Sequence, residues 1–177
     1  RIMQLEDYIQ VIPDVLDTKF CSEIVKNKKY KYEAASVIGA NGKEIKPKMR
    51  NCSSSKILGE DDKIIYQVVG SLINKYIEKT KCNIPKRIDD SGYEVLKYKK
   101  GGFYLQHTDD LKEIPRRVSM SLLINDEYEG GELQFFGGYK VSGRVGSAIV
   151  FPANFCYPHE VLPVLSGARY SIITWVF

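Results

Sequence analysis

Histidine is almost absent from this chain: its 177 residues carry only His107 and His159, together with a single tryptophan, Trp175. Any chemistry that needs an imidazole must use one or both of those positions. Cysteine is sparse as well. Cys21, Cys52, Cys82 and Cys156 are scattered without a CxxC spacing, which fits buried or free thiols in a reducing compartment. No apolar run approaches the length of a membrane span and no signal peptide is visible, so the expectation is a cytoplasmic protein without a membrane partner. The first residue is Arg1 rather than Met, so an N-terminal segment with its own signals could have been trimmed. Neither sign of charge dominates. With 26 basic and 22 acidic residues the net charge is +4 and the pI is near 8.7. That is enough to help attract an acidic partner and short of a nucleic-acid footprint. The lysine-rich stretches Lys26 to Lys31 and Lys43 to Arg50 read as solvated faces and loops. Repeats, low-complexity segments and linkers are missing, and 44% hydrophobic with 27% charged residues is an ordinary globular composition. Length and composition point to one domain over residues 1–177.

What is present falls into two regions. In residues 1–90, Leu5 to Ile12 reads as a strand ended by Pro13, and Asp17 or Thr18 caps a short helix that turns Phe20, Ile24 and Val25 inward. Tyr30 to Ile38 reads as another strand. The polar stretch Gly39 to Arg50 has no apolar period and reads as a loop able to act as a lid. Glu60 to Lys79 is the clearest helix: Ile64, Ile65, Val68, Val69, Leu72, Ile73, Tyr76 and Ile77 repeat at helical spacing and form a stripe that packs on a sheet. From Ser91 the pattern changes to short strands between glycine turns. They are Tyr93 to Tyr98, Phe103 to His107, Arg117 to Asn125, Glu132 to Phe136, Val145 to Phe151 and Arg169 to Phe177. This spacing predicts a mainly β core, a sandwich or barrel, with flanking helices.

Both histidines lie in the second region. His107 and Asp109 are two residues apart, so on an extended segment they offer one nitrogen and one oxygen to the same point, with Asp110 turned away. His159 follows in Tyr157-Pro158-His159-Glu160-Val161, after a separate strand. The His-x-Asp spacing alone is weak, because a lone histidine is more often a hydrogen-bonded structural residue. Two imidazoles and one carboxylate on one side of an ion leave its other positions open, which suits non-haem Fe(II) chemistry with dioxygen. Beyond His159, Arg169 opens a strand in which Arg169, Ser171, Ile173 and Trp175 share a face. A guanidinium there is costly to bury without an anion. It either pairs with a protein carboxylate or, with the Ser171 hydroxyl, takes the far end of a dicarboxylate ligand whose oxygens match its planar donors.

The ordered set Tyr98-x-x-Gly101-x-x-Tyr104-x-x-His107-x-Asp109, Arg117-Val118-Ser119, Gly130-Gly131-Glu132-Leu133, His159-Glu160-Val161-x-Pro163-Val164 and Gly167-x-Arg169 resembles the prolyl 4-hydroxylase-like branch of the 2-oxoglutarate- and Fe(II)-dependent dioxygenases. The likeness is tight over residues 93 to 177. It is loose before them, where Arg50-Asn51-Cys52 resembles an Arg-x-Ser segment of the family's substrate loop. The resemblance implies a double-stranded β-helix, a jelly-roll core of two facing sheets with the metal between them. It implies Fe(II) held by His107, Asp109 and His159. It also implies 2-oxoglutarate held by Arg169, with Tyr98 lining its pocket and Ser171 assisting, O2 as oxidant and ascorbate as reductant. Arg117 and Trp175 match positions that meet a peptide substrate near the iron. The implied substrate is a proline in a peptide or protein, giving 4-hydroxyproline; free proline or another small amino acid is the alternative.

Two departures mark the chain. Leu123 stands where some relatives have a tyrosine that reaches the distal carboxylate, and Arg169 stands where collagen-type members have lysine. Nucleic-acid demethylases of the wider superfamily carry an arginine six positions after the equivalent of Arg169. Trp175 occupies that place here, so no nucleic-acid substrate is expected. A catalytically silent β-barrel binding module is the remaining reading from a different class.

Overall fold

In the computed structural model, which describes residues 1–84 and 89–177, two helices back a sheet-rich core. The Asp17 carboxylate accepts from the amides of Lys19 and Phe20, at 2.9 and 3.1 Å. It thereby satisfies donors that the first turn of a helix leaves open and starts α1 (Thr18–Lys26), which buries Cys21 and Ile24. The apolar stripe forms α2 (Glu60–Thr80), burying Ile65, Val69, Leu72, Ile73 and Tyr76. The strands are, in chain order, β1 (Gln10–Ile12), β2 (Glu33–Ala34), β3 (Val37–Gly39), β4 (Gly42–Glu44), β5 (Arg50–Asn51), β6 (Ser53–Lys56), β7 (Glu94–Lys99), β8 (Phe103–His107), β9 (Val118–Leu123), β10 (Tyr128–Gly130), β11 (Leu133–Phe135), β12 (Tyr139–Val141), β13 (Ala148–Pro152), β14 (His159–Val161) and β15 (Val164–Val176).

The large sheet has the order β1-β13-β9-β15-β7-β6-β2, with β10 added on β15, and the small sheet the order β12-β11-β14-β8-β5. Side-chain alternation along the large sheet makes two cores. One face, with Val95, Val118, Met120, Leu122, Ala148, Val150, Ile172 and Val176, packs against α1 and α2. The other, with Leu96, Tyr98, Leu123, Ile149 and Phe151, meets Leu133, Phe135, Tyr157 and Val161 from the small sheet and the segment before β14. The result is a mainly β jelly-roll, as the strand spacing predicts. Segments from the first half complete both sheets, since β1, β2 and β6 lie in the large one and β5 in the small one.

The first half departs from the periodicity in three places. Leu5 to Tyr8 is a 3₁₀ turn rather than the start of a strand, because the Asp7 carboxylate accepts from the Gln4 amide at 2.8 Å and closes the chain on itself. Tyr30 to Ile38 is not continuous, since Glu33–Ala34 pairs with β6 while Val37–Gly39 turns back on β4. The expected Gly39 to Arg50 loop thus contains half of a hairpin and ends in β5. A two-residue turn at Ala40 and Asn41 suffices to make it, and no apolar alternation marks it in advance.

Candidate metal centre

Antiparallel register closes the gap of 50 residues between Asp109 and His159. β14 pairs with β8 so that His159 lies directly across from His107, and Phe135 of β11 lies on the other side of His159. The two imidazole centroids are 4.4 Å apart. Asp109, just past the end of β8, completes a group whose ligand atoms all lie within 4.8 Å of one another. Each histidine Nε2 is 3.6 Å from a different Asp109 oxygen. That is longer than a hydrogen bond, yet one ion with bonds of roughly 2.0–2.2 Å to such donors touches both sides.

Each imidazole is held by its other nitrogen. His107 Nδ1 faces the Leu105 carbonyl at 2.8 Å and His159 Nδ1 the Tyr157 carbonyl at 3.0 Å. Donation there places the lone pair on Nε2, aimed at the shared point. Burial holds His159 below its ordinary pKa, against the pull of Asp109, so the ring stays neutral and able to ligate. Burial pushes the Asp109 carboxyl up, but His107, His159 and the Ser119 hydroxyl outweigh it and hold the group well below the usual carboxylate range. Ser119 donates to Asp109 Oδ2 at 2.6 Å. The Tyr104 ring stacks on His107, with centroids 3.6 Å apart and planes at 16°. Two imidazoles and an ionised carboxylate, each fixed from behind, form a donor set that fits a divalent cation of the Fe(II) kind.

Beside this group opens a cavity of about 350 Å³, within the range of ligand sites, roughly 300–1,000 Å³. Arg169 lies at its deep end, 2% exposed. Its Nη1 donates to Ser171 Oγ at 2.9 Å, and its guanidinium carbon lies 5.5 Å from the centre of the Tyr98 ring, its cross-strand partner. Among the described residues no carboxylate lies within ion-pair distance of it. Of the two possibilities left open for Arg169, the protein acid is therefore the one not found. Gly131 makes room for this arrangement: its φ is +66°, and a Cβ there would come within 3.0 Å of Arg169 Cδ.

The predicted site residues divide into those the fold gathers and those it does not. His107, Asp109, His159, Arg169, Ser171 and Trp175 all line the one cavity. Tyr98 is buried beneath Arg169 in the core between the sheets and reaches the cavity only through that contact. Leu123, across from Ser171, is buried apolar wall. Arg117 is not gathered with them. It is exposed and outside the cavity, because β9 begins only at Val118 and the alternation that sends Ser119 and Ser121 inward does not extend back to it. The arginine facing inward is its neighbour Arg116, whose guanidinium carbon lies 3.6 Å from the centre of the Trp175 ring. Sequence reasoning also gave no role to Ser119, Tyr104 or Gly131, although all three stand inside the quoted motifs.

The comparisons with known proteins agree with this geometry. Residues 93–177 match the family described as the 2OG-Fe(II) oxygenase superfamily. A PKHD-type hydroxylase from Alteromonas mediterranea is 36% identical over 75 residues, which are 41% of this chain and 32% of that protein. The match thus spans about a third of that relative's length. Among solved structures, a viral collagen prolyl hydroxylase from Paramecium Bursaria Chlorella virus-1, in a 2OG complex, superposes with a TM-score of 0.71 at 20% identity, covering 96% of this chain and 95% of that one. A prolyl hydroxylase from Trichoplax adhaerens, in complex with a hypoxia inducible factor peptide fragment, gives a TM-score of 0.75 at 18% identity over 97% and 84%. At such identities these two structures speak for the shared fold; the matched family and the converging triad carry the rest. Residues 93–177, just under half of the chain, thus match the 2OG-Fe(II) oxygenase superfamily, and the converging triad lies within them.

Proposed function

We propose that the protein hydroxylates an unactivated C–H bond, that of a proline in a peptide or protein, using Fe(II), 2-oxoglutarate and O2 and releasing succinate and CO2. One observation carries the reading: a buried guanidinium that has no carboxylate partner among the described residues stands in the same cavity as two imidazoles and a carboxylate that converge on one point. His107, Asp109 and His159 would hold the iron, and Arg169 the distal carboxylate of 2-oxoglutarate, with Ser171 fixing the fork. When bound, the metal with 2-oxoglutarate and dioxygen supplies the oxidising power; ascorbate would keep the metal reduced.

The chain's own contribution is placement and exclusion. Ser119 leaves one face of the Asp109 carboxylate occupied and the other free to ligate. Phe135 and Phe151 wall His159 at 5.5 and 4.8 Å and keep water from its ring. At the open end, Ile38, Met49, Leu105 and Trp175 form an apolar rim onto which an extended peptide and a pyrrolidine ring would fit. The peptide bound in the Trichoplax adhaerens structure supports a peptide or protein substrate, and the β3–β4 hairpin takes the lid role first given to a loop. Residues 1–177 would act as one catalytic unit, supported by the N-terminal strands that complete both sheets. Free thiols at all four cysteines support a reducing, cytoplasmic setting. Among the described residues no helix is long and apolar enough to cross a membrane.

The test is uncoupled turnover. With iron, ascorbate and no substrate, 2-oxoglutarate should pass slowly to succinate. His107→Ala and His159→Ala should abolish this, and normal turnover in either would overturn the ligand assignment. Mass spectrometry on a panel of proline-containing peptides decides the substrate: a +16 shift on proline supports it, and modification of free proline alone would favour the amino-acid alternative.

A further inference from the structure

Tyr104 and His107 are three residues apart on β8, and side chains three apart on an unbroken strand point to opposite faces. Here their rings stack, with centroids 3.6 Å apart and planes at 16°. Strand register accounts for this. On β14 the step from His159 to Val161 is two residues, whereas the paired step on β8, from His107 to Tyr104, is three. The extra residue is a bulge at Leu105 and Gln106, and it turns His107 onto the face that Tyr104 occupies. Leu105 is 46% exposed and Gln106 is exposed too, so the bulge gains little burial of its own. Its polar groups are nevertheless held. The Leu105 amide donates to the Met49 carbonyl at 2.9 Å, and the Leu105 carbonyl faces His107 Nδ1 at 2.8 Å.

The two imidazoles are supported unequally. His159 is enclosed, with Phe135 and Phe151 at 5.5 and 4.8 Å and a side chain only 6% exposed. The His107 side chain is 18% exposed, and apart from His159 the one ring against it among the described residues is Tyr104. Tyr104 is itself backed. Arg50, its cross-strand partner on β5, has its guanidinium carbon 4.6 Å from the ring centre and is tied by Nη1 to the Ser36 carbonyl at 2.7 Å. Guanidinium, phenol ring and imidazole thus form one stack that ends at a ligand of the metal centre. The hydrogen bond at Nδ1 fixes one point of the His107 ring and leaves it able to tilt about that bond. A flat ring in van der Waals contact removes the tilt, and a ligating group needs its direction held within about 10–20°.

Resting on the metal-centre reading above, we infer that Tyr104 is a positioning residue, whose aromatic face holds His107 in the ligating orientation that the β8 bulge creates. The ring acts through His107 and not on the ion. Its contribution is therefore to metal affinity and ligand geometry, and a ring without the hydroxyl serves as well.

The experiment titrates Co(II) into the metal-free chain. Calorimetry reads the affinity, and the visible d–d absorption of the bound ion reads the arrangement of its ligands, both without turnover. Tyr104→Leu should weaken binding by about tenfold or more and change the absorption, as loss of a group that orients a ligand does. Tyr104→Phe, which keeps the ring, should remain within about twofold of the wild type, because aromatic contact does not need the hydroxyl. Its absorption should match that of the wild type. Wild-type affinity in Tyr104→Leu, a loss in Tyr104→Phe equal to that in Tyr104→Leu, or an unchanged absorption in Tyr104→Leu would each overturn the assignment. Should Tyr104→Leu fail to fold by thermal unfolding, Tyr104→Met takes its place, with the same outcomes. A wild-type chain that takes up no Co(II) would instead sink the metal centre itself, so the two failures are distinct.

Discussion

The two faces of the large sheet are made by the same strands and have opposite chemistry. Toward the helices β15 sends Tyr170, Ile172 and Val176, β9 sends Val118 and Leu122, and β13 sends Ala148 and Val150. Toward the cavity β15 sends Arg169, Ser171 and Trp175, and β9 sends Ser119 and Ser121. The first face removes apolar surface from water, the main favourable term in folding. The second buries a guanidinium that Ser171 and the Tyr98 ring partner but that, among the described residues, no carboxylate neutralises. One face therefore holds the fold, and the other stays destabilised until an anionic ligand arrives.

Substitutions on the two faces should accordingly move different observables. The largest effect is expected on the helix side. Leu72→Ala in α2 should lower stability by about 2–5 kcal/mol in denaturant unfolding, while the 2-oxoglutarate half-saturation of the folded protein stays near the wild-type value. A comparable change in half-saturation would show that the faces are not independent. Next comes Arg169→Leu. Truncating a buried charge pair should raise the 2-oxoglutarate requirement by about 30-fold or more. In ligand-free protein the same change should raise the unfolding midpoint, because an unpaired buried charge is removed. A lower midpoint would mean that the guanidinium itself holds the sheets together. Ser119→Ala removes the hydroxyl from Asp109, and iron affinity, read by metal titration, should fall by about tenfold; unchanged affinity would reduce Ser119 to packing. The smallest effect belongs to Asp17→Ala, which removes the cap of α1. It should cost about 1 kcal/mol in thermal unfolding and leave iron binding as it was.

How far each face could be read in advance follows from the range of the interactions that build it. The stripe of α2 and the shared face of Arg169, Ser171, Ile173 and Trp175 are set by backbone periods of 3.6 and 2, which neighbouring residues alone define. Both appear as expected. The first 56 residues were harder. Their strands are two to four residues long, too short for a period to show, and they persist because partners elsewhere in the chain accept their hydrogen bonds. The exchange of Arg117 for Arg116 has the same origin: where a strand begins decides which side chain turns in, and a shift of one residue reverses the face.

The chain's composition and order determined which groups were available: two imidazoles, an acid two residues from one of them, and an arginine on a strand face with a hydroxyl. They also determined the helices and most of the later strands, since periodicity is a local property. Only the folded molecule decided that His159 sits across from His107, that no acid among the described residues reaches Arg169, and that Arg116 rather than Arg117 lines the cavity. Those outcomes depend on strand register and on contacts between residues far apart in the chain, and such contacts are selected by the packing of the whole core rather than by any segment of it.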